Sequence, residues 1–297
     1  MRIVVTGSLG HISKPLTKEL VAKGHAVTVI SRDPERKKEI EALGAKSAIG
    51  VMEDVDFLTE AFAGADLVYC MIAPGSFFDP NLDLMNYASQ IASNYAQAIK
   101  QAGVKHLIHL SSIGAHMDKG NGILRFHYNA EQIFQALPLD VIVKTVRPVA
   151  FYYNLLGFIP TIKNAGFIAS NYGGDDLIAW VSPNDIAAVI AEEIMQLSVV
   201  RKVRYIASQE LRCNEMAAVL GKAIGKPNLK WNVISNEQME GILLGVGMNP
   251  TIAKGLVEMQ ASMHTGELFE DYYRNKPILS KVKIEDYAKD FALAFNQ

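Results

Sequence analysis

The chain reads as an α/β protein, a doubly wound parallel sheet with a smaller, mostly helical C-terminal lobe. Three observations predict this. Short β-branched runs alternate with segments of helical period through the first half of the 297 residues. The clearest run, residues 66–72, is apolar on both faces, as a central parallel strand should be. The first run also empties into a glycine turn at a helix start, and the second ends about twenty residues later in charged residues.

Residues 2–6 form the first strand, residues 26–30 the second, and residues 46–50 a short third. A helix over about 54–63 leads to the fourth strand, 66–72, which Ala73-Pro74-Gly75 breaks. Leu84, Ala88, Ile91, Ala92, Tyr95 and Ile99 recur at helical spacing. They predict a long amphipathic helix over 82–102, closed by Gly103. Residues 105–110 are the fifth strand with Ser111 and Ser112 at its tip, 128–137 a helix and 140–146 the sixth strand. From Arg147 the alternation loosens. Helices are expected over 184–194 and 214–224, a strand over 203–206, and largely helical structure over 235–275. Residues 1–150 are therefore read as the core and 151–297 as a lobe continuous with it.

The first connection carries chemistry. In Gly7-Ser8-Leu9-Gly10-His11-Ile12, Gly7 permits a tight turn and Gly10 leaves room for a pyrophosphate at the helix N-terminus. The spacing is G-x-x-G, with Ser13 where a third glycine is usual. This is the opening unit of a Rossmann sheet, so a dinucleotide is expected along these residues. At the tip of the second strand, Ser31-Arg32 replaces the acidic residue that would accept from a ribose 2′-hydroxyl. Arginine there suits a 2′-phosphate, with Lys37 one helical turn beyond, so NADP(H) is the expected cofactor. Asp33-Pro34 reads as the cap and first residue of the following helix, although Asp33 could itself serve a 2′-hydroxyl.

Composition excludes other classes. A net charge of −2 leaves no basic surplus for nucleic acid. No apolar run approaches a membrane span, and the N-terminus enters a core strand directly, so a cytoplasmic protein is expected. Cys70 and Cys213 make no metal or CxxC spacing, and Cys70 reads as an inert core thiol. His106 and His109 fall on opposite faces of a strand, so no metal site is expected.

Several stretches resemble, in order, the NmrA-like proteins, atypical members of the short-chain dehydrogenase/reductase superfamily. They are Val5 to Ser13, Ile30-Ser31-Arg32, Leu110-Ser111-Ser112, Val146-Arg147-Pro148 with Phe151 and Asn154, and Trp180 to Ala187. The likeness spans residues 1 to about 225 and continues more weakly to the end. It implies a Rossmann core with NADP(H), in a branch that holds flavin-free quinone reductases, isoflavone-type reductases and silent redox-sensing regulators.

The departures matter equally. Aligned through Glu131, the superfamily's catalytic lysine falls at His127 and its tyrosine at Ile123, which cannot donate a proton. His127 resembles the histidine of quinone-reductase-like relatives, where it would contact the nicotinamide ribose or act as a general acid near neutrality. Tyr128 is adjacent but about 100° out of phase. Ser111 lies where the catalytic serine falls and would orient a carbonyl. After the third strand, Val51 and Met52 stand where relatives place an acid, so the adenine is expected between apolar contacts, with Glu53 and Asp54 capping the next helix. Ile72, Ala73 and Pro74 at the fourth strand's tip are expected to border the cofactor. Phe77, Phe78, Phe151, Tyr152 and Tyr153 are candidates for stacking a planar substrate, about two of the five in the pocket. The reading is an NADPH-dependent oxidoreductase of a small planar acceptor such as a quinone. The alternative is a silent NADP(H) sensor that binds a protein partner.

Overall fold

The computed structural model describes residues 1–196 and 202–297. Its first half follows the expected alternation: β1 (Arg2–Val5), α1 (Ser13–Ala22), β2 (Ala26–Ser31), α2 (Arg36–Ala42), β3 (Lys46–Ile49), α3 (Val55–Phe62), β4 (Leu67–Met71), α4 (Leu84–Ala102), β5 (His106–Leu110), α5 (Arg125–Gln135) and β6 (Ile142–Pro148). Gly103 ends α4 in the left-handed region at φ 70°, where a side chain would be strained. A 3-10 turn, Gly122–Leu124, precedes α5.

Beyond β6 the order is β7 (Ala150–Phe151), α6 (Ile159–Ala165), β8 (Ile168–Ser170), β9 (Leu177–Val181), α7 (Pro183–Met195), β10 (Lys202–Ile206), β11 (Gln209–Arg212), α8 (Cys213–Ala223), β12 (Trp231–Val233), α9 (Asn236–Gly245), α10 (Pro250–Thr265), α11 (Glu270–Arg274) and α12 (Ile284–Phe295).

The central sheet has seven strands in the order β3-β2-β1-β4-β5-β6-β10, all paired in parallel. Its order reverses between β1 and β4, which opens a crevice at their carboxyl ends. One face is covered by α1, α2 and α7 with Leu16, Leu20, Ile40, Ile186 and Ile190 buried. The other is covered by α3, α4 and α5 with Leu58, Ile91, Tyr95 and Phe134 buried.

Two findings refine the lobe. The edge strand β10 and its covering helix α7 come from beyond residue 150, so the C-terminal part completes the sheet as well as capping it. The lobe is mostly helical, as expected, with small sheets besides. It holds a three-stranded sheet, β11-β9-β7, and a β12-β8 pair. Strands this short carry too few residues for a period-2 pattern to register. Asp185, at the start of α7, joins these parts: its carboxylate accepts from Ser208 Oγ at 2.6 Å and from the Val282 N–H at 3.0 Å.

Candidate active site

The glycine turn leaves β1 at the crevice. Thr6 is fully buried and its Oγ1 accepts from the Met71 N–H at 2.9 Å, tying the tips of β1 and β4 together. Gly7 sits at φ 87°, and a Cβ there would come within 2.8 Å of Ser13 Oγ and 2.9 Å of Met71 Sδ. Only glycine satisfies both constraints. Ser8, at φ 52°, is the one non-glycine in positive φ among the described residues. It is held by its N–H to the Ile30 carbonyl at 3.1 Å and by Ser8 Oγ to Ser31 Oγ at 2.9 Å. Such a conformation persists only where its surroundings over-determine it.

Ser13, in the third glycine's place, donates Oγ to the Thr6 carbonyl at 2.8 Å, closing the strand–helix corner with a hydrogen bond. The first turn of α1 has no acidic residue and no side-chain cap. Its partial positive charge therefore stands uncompensated behind the turn, as an anion site requires. Leu9 and Ile12 pack into the core, so they offer backbone here, whereas His11 is exposed.

At the tip of β2, Ser31 is buried and Arg32 exposed. The Arg32 guanidinium donates to Glu53 Oε1 at 2.6 Å. Helix α2 begins at Arg36, two turn residues later than the sequence reading. The Asp33 carboxylate accepts from the Glu35 N–H at 2.9 Å and shapes that turn. Lys37 is exposed, 4.0 Å from Glu41. After β3, Val51 and Met52 are half-buried and Asp54 caps α3 by accepting from the Phe57 N–H. Glu53 does not share that cap, contrary to expectation; it faces Arg32.

At the tip of β4, Ile72 is buried, Pro74 half-buried and Ala73 exposed. The loop beyond it is fastened to the start of α10 by Asn249, whose N–H donates to the Phe77 carbonyl and whose Nδ2 donates to Asp79 and Leu82 carbonyls. Phe77 is half-buried against the core and Phe78 exposed. Across the crevice the Tyr153 ring stacks on His11, centroids 4.9 Å apart, with Phe151 5.1 Å beyond. Tyr152 is a correction. It is wholly buried, stacked on Tyr287 and bonded to Gln209 Oε1, so it belongs to the core and not to a pocket.

Ser111 is a second correction. Its hydroxyl, buried, donates to Glu131 Oε1 at 2.5 Å. Glu131 in turn takes both arms of Arg147, at 2.9 and 2.6 Å. Arg147 Nη1 reaches Asp271 at 3.1 Å, and Tyr205 donates to the same carboxylate at 2.6 Å. Ser111 thus completes a buried ion cluster that fastens α5, β6, β10 and α11 together, and its hydroxyl is not directed at a substrate carbonyl.

Ile123, in the tyrosine's place, is buried beneath α10. Gly122 and Gly255 meet there so closely that a Cβ on Gly122 would lie 1.8 Å from the Gly255 carbonyl. His127 follows on α5. Its Nδ1 is sealed without a hydrogen-bond partner among the described residues, and burial holds the imidazolium pKa down to about 3. His127 is therefore neutral near pH 7. A neutral imidazole can donate or accept a hydrogen bond, and burial works against a general acid poised near neutrality.

Tyr128 is half-buried. Cys70 is fully buried and its thiol pKa is pushed up by burial, which makes it inert. Among the described residues no cluster of three metal-ligating side chains occurs, and no helix is long and apolar enough to cross a membrane. A cavity of about 640 Å³ lies along β10 between Arg147, Arg204, Asp271 and Lys276, away from the glycine turn.

The NmrA-like family model matches residues 1–290. The chain belongs to the NmrA-like family. It is 26% identical over 260 residues to an NAD(P)H azoreductase of Xenophilus azovorans, covering 87% of this chain and 86% of that one. It is also 26% identical over 266 residues to a (4-alkanoyl-5-oxo-2,5-dihydrofuran-3-yl)methyl phosphate reductase of Streptomyces griseus, covering 89% and 88%. The fold is that of an NADPH-dependent quinone oxidoreductase of Escherichia coli solved with NADPH, at TM-score 0.81, 22% identity and coverage of 97% and 99%. It is shared with a Citrobacter triphenylmethane reductase solved with NADP(H), at TM-score 0.75, 19% identity and coverage of 98% and 100%.

Proposed function

We propose that this member of the family is an NADPH-dependent oxidoreductase whose acceptor is small and planar, such as a quinone. The observation that carries the reading is the uncapped N-terminus of α1 behind the Gly7–Gly10 turn, with Arg32 at the neighbouring strand tip. That set fits a dinucleotide: N–H groups of the loop and of α1 meet the pyrophosphate, and Arg32 meets a 2′-phosphate. The named reductases among its relatives support the same class. Bound NADPH supplies a hydride, and the protein supplies position and a dry pocket. His11, Tyr153 and Phe151 offer a flat aromatic surface beside the glycine turn on which a planar acceptor can stack. His127, neutral, orients an oxygen by hydrogen bonding. A quinone suits this equipment, since its reduced oxygens need no dedicated acid of the kind Ile123 fails to provide.

The test is NADPH oxidation followed by absorbance with a panel of quinones and azo dyes. Acceptor-dependent oxidation above the rate without protein is expected. Tight NADPH binding with no such oxidation would replace this reading by the silent sensor, which the buried Ile123 favours.

A further inference from the structure

We propose that Glu53 sets the cofactor preference: its carboxylate clasps Arg32 from the neighbouring strand tip and competes with the 2′-phosphate of NADPH for that guanidinium. The inference rests on the nucleotide reading above.

Three elements converge on the clasp. Arg32 comes from the tip of β2, Glu53 from the turn after β3, and Tyr87 from α4; the Tyr87 hydroxyl interacts with both ions. Glu53 is not a loose surface acid that happens to lie near. Asn94 of α4, buried, donates Nδ2 to the Met52 carbonyl at 3.0 Å and to the Glu53 carbonyl at 3.2 Å. On the other side Asp54 is fixed as the cap of α3. The backbone of Glu53 is thus pinned from both directions. The acid next to Arg32 in sequence, Asp33, is turned away to the Glu35 N–H and the Arg36 guanidinium.

This geometry has a definite consequence for selectivity. The Arg32 and Glu53 side chains are 63% and 42% exposed, so water screens the pair and a phosphate can displace the carboxylate. Because its backbone is held, Glu53 remains beside the incoming phosphate as a like charge. NADH meets the opposite situation. Its 2′-hydroxyl is a donor that a carboxylate accepts, and the clasp need not open. Glu53 therefore works against NADPH and for NADH, and Arg32 alone would give a more strictly NADPH-preferring site.

Dissociation constants for NADPH and NADH, read by nucleotide fluorescence or calorimetry, test this in the wild type, Glu53→Gln, Arg32→Gln and the double variant. Glu53→Gln is nearly isosteric and exposed, and a thermal melt checks that it stays folded. NADPH should bind about three- to tenfold tighter to Glu53→Gln, with NADH unchanged or weaker. In the Arg32→Gln background the gain for NADPH should shrink by at least half, because the guanidinium being contested is gone and only the like charge of Glu53 remains to be relieved. Unchanged constants for both nucleotides, or an equal gain for both, would overturn the proposal while leaving the function reading intact. A full gain without Arg32 would overturn the clasp as its cause. A wild-type chain that binds neither nucleotide would overturn the function reading itself.

Discussion

The glycine turn and the Ser111 cluster both lie at carboxyl ends of strands, both carry family motifs, and they use their polar groups in opposite ways. At the glycine turn, the first turn of α1 has no side-chain acceptor, and Arg32 is held by an exposed acid. In the cluster, Ser111, Glu131, Arg147, Asp271 and Tyr205 consume one another's hydrogen bonds inside the protein. Groups left available can meet a ligand. Groups that saturate one another in the interior hold the frame. A motif residue is therefore assigned to site or scaffold by where its hydrogen bonds go, not by its membership of the motif.

The scaffold side should yield the largest effect. Arg147→Met leaves Glu131 buried without its cation and should cost about 3–5 kcal/mol in urea denaturation; a loss below 1 kcal/mol would mean the cluster is not structural. On the site side, Gly10→Val brings a branched side chain onto a position where even a Cβ lies 3.2 Å from the Gly7 carbonyl. Calorimetry should show both nucleotides weakened about a hundredfold or more, roughly 2.7 kcal/mol. Retained affinity would show that the turn holds no nucleotide.

Two smaller effects sharpen the division. Ser111→Ala removes one hydrogen bond to a buried carboxylate that Arg147 still satisfies. Stability should fall by about 1.5 kcal/mol, while turnover with a quinone stays within about twofold; a hundredfold loss of turnover at unchanged stability would return Ser111 to the catalytic machinery. His127→Ala should lower turnover by no more than about tenfold, or about 1.4 kcal/mol, with NADPH affinity within a few fold. With its pKa depressed to about 3, His127 stays neutral as pH falls through 6.5. The rate profile should therefore show no acid limb between pH 6 and 7 that His127→Ala removes, and finding one would restore the general acid.

Much of the sheet was legible because parallel strands buried on both faces and helices with one apolar stripe leave strong patterns, as α4 did with its closing Gly103. The turn chemistry at Gly7 and Gly10 was legible for the same reason: few residues tolerate those positions. What the sequence hid was long-range pairing. Nothing local says that Glu53 meets Arg32, 21 residues away, or that Ser111 spends its hydroxyl on Glu131. Tyr152 and Tyr153 are neighbours that an extended or turning backbone sends in different directions, one to the core and one to His11. Two residues did leave a usable trace. Asn94 interrupts the apolar stripe of α4, and a polar group in such a place must find a partner. Asn249 precedes Pro250, the pattern of a helix cap, and it uses the same side chain to anchor the loop after β4.

The central claim is that the strand-end edge built from the glycine turn and Arg32 receives NADPH. Calorimetric titration of wild type and Arg32→Glu with NADPH and NADH tests it most directly. A charge-assisted guanidinium–phosphate contact is worth about 1.5–3 kcal/mol. The variant should lose about ten- to a hundredfold in NADPH affinity while NADH changes by less than about threefold. Equal losses for both nucleotides, or a wild-type chain that binds neither, would contradict it.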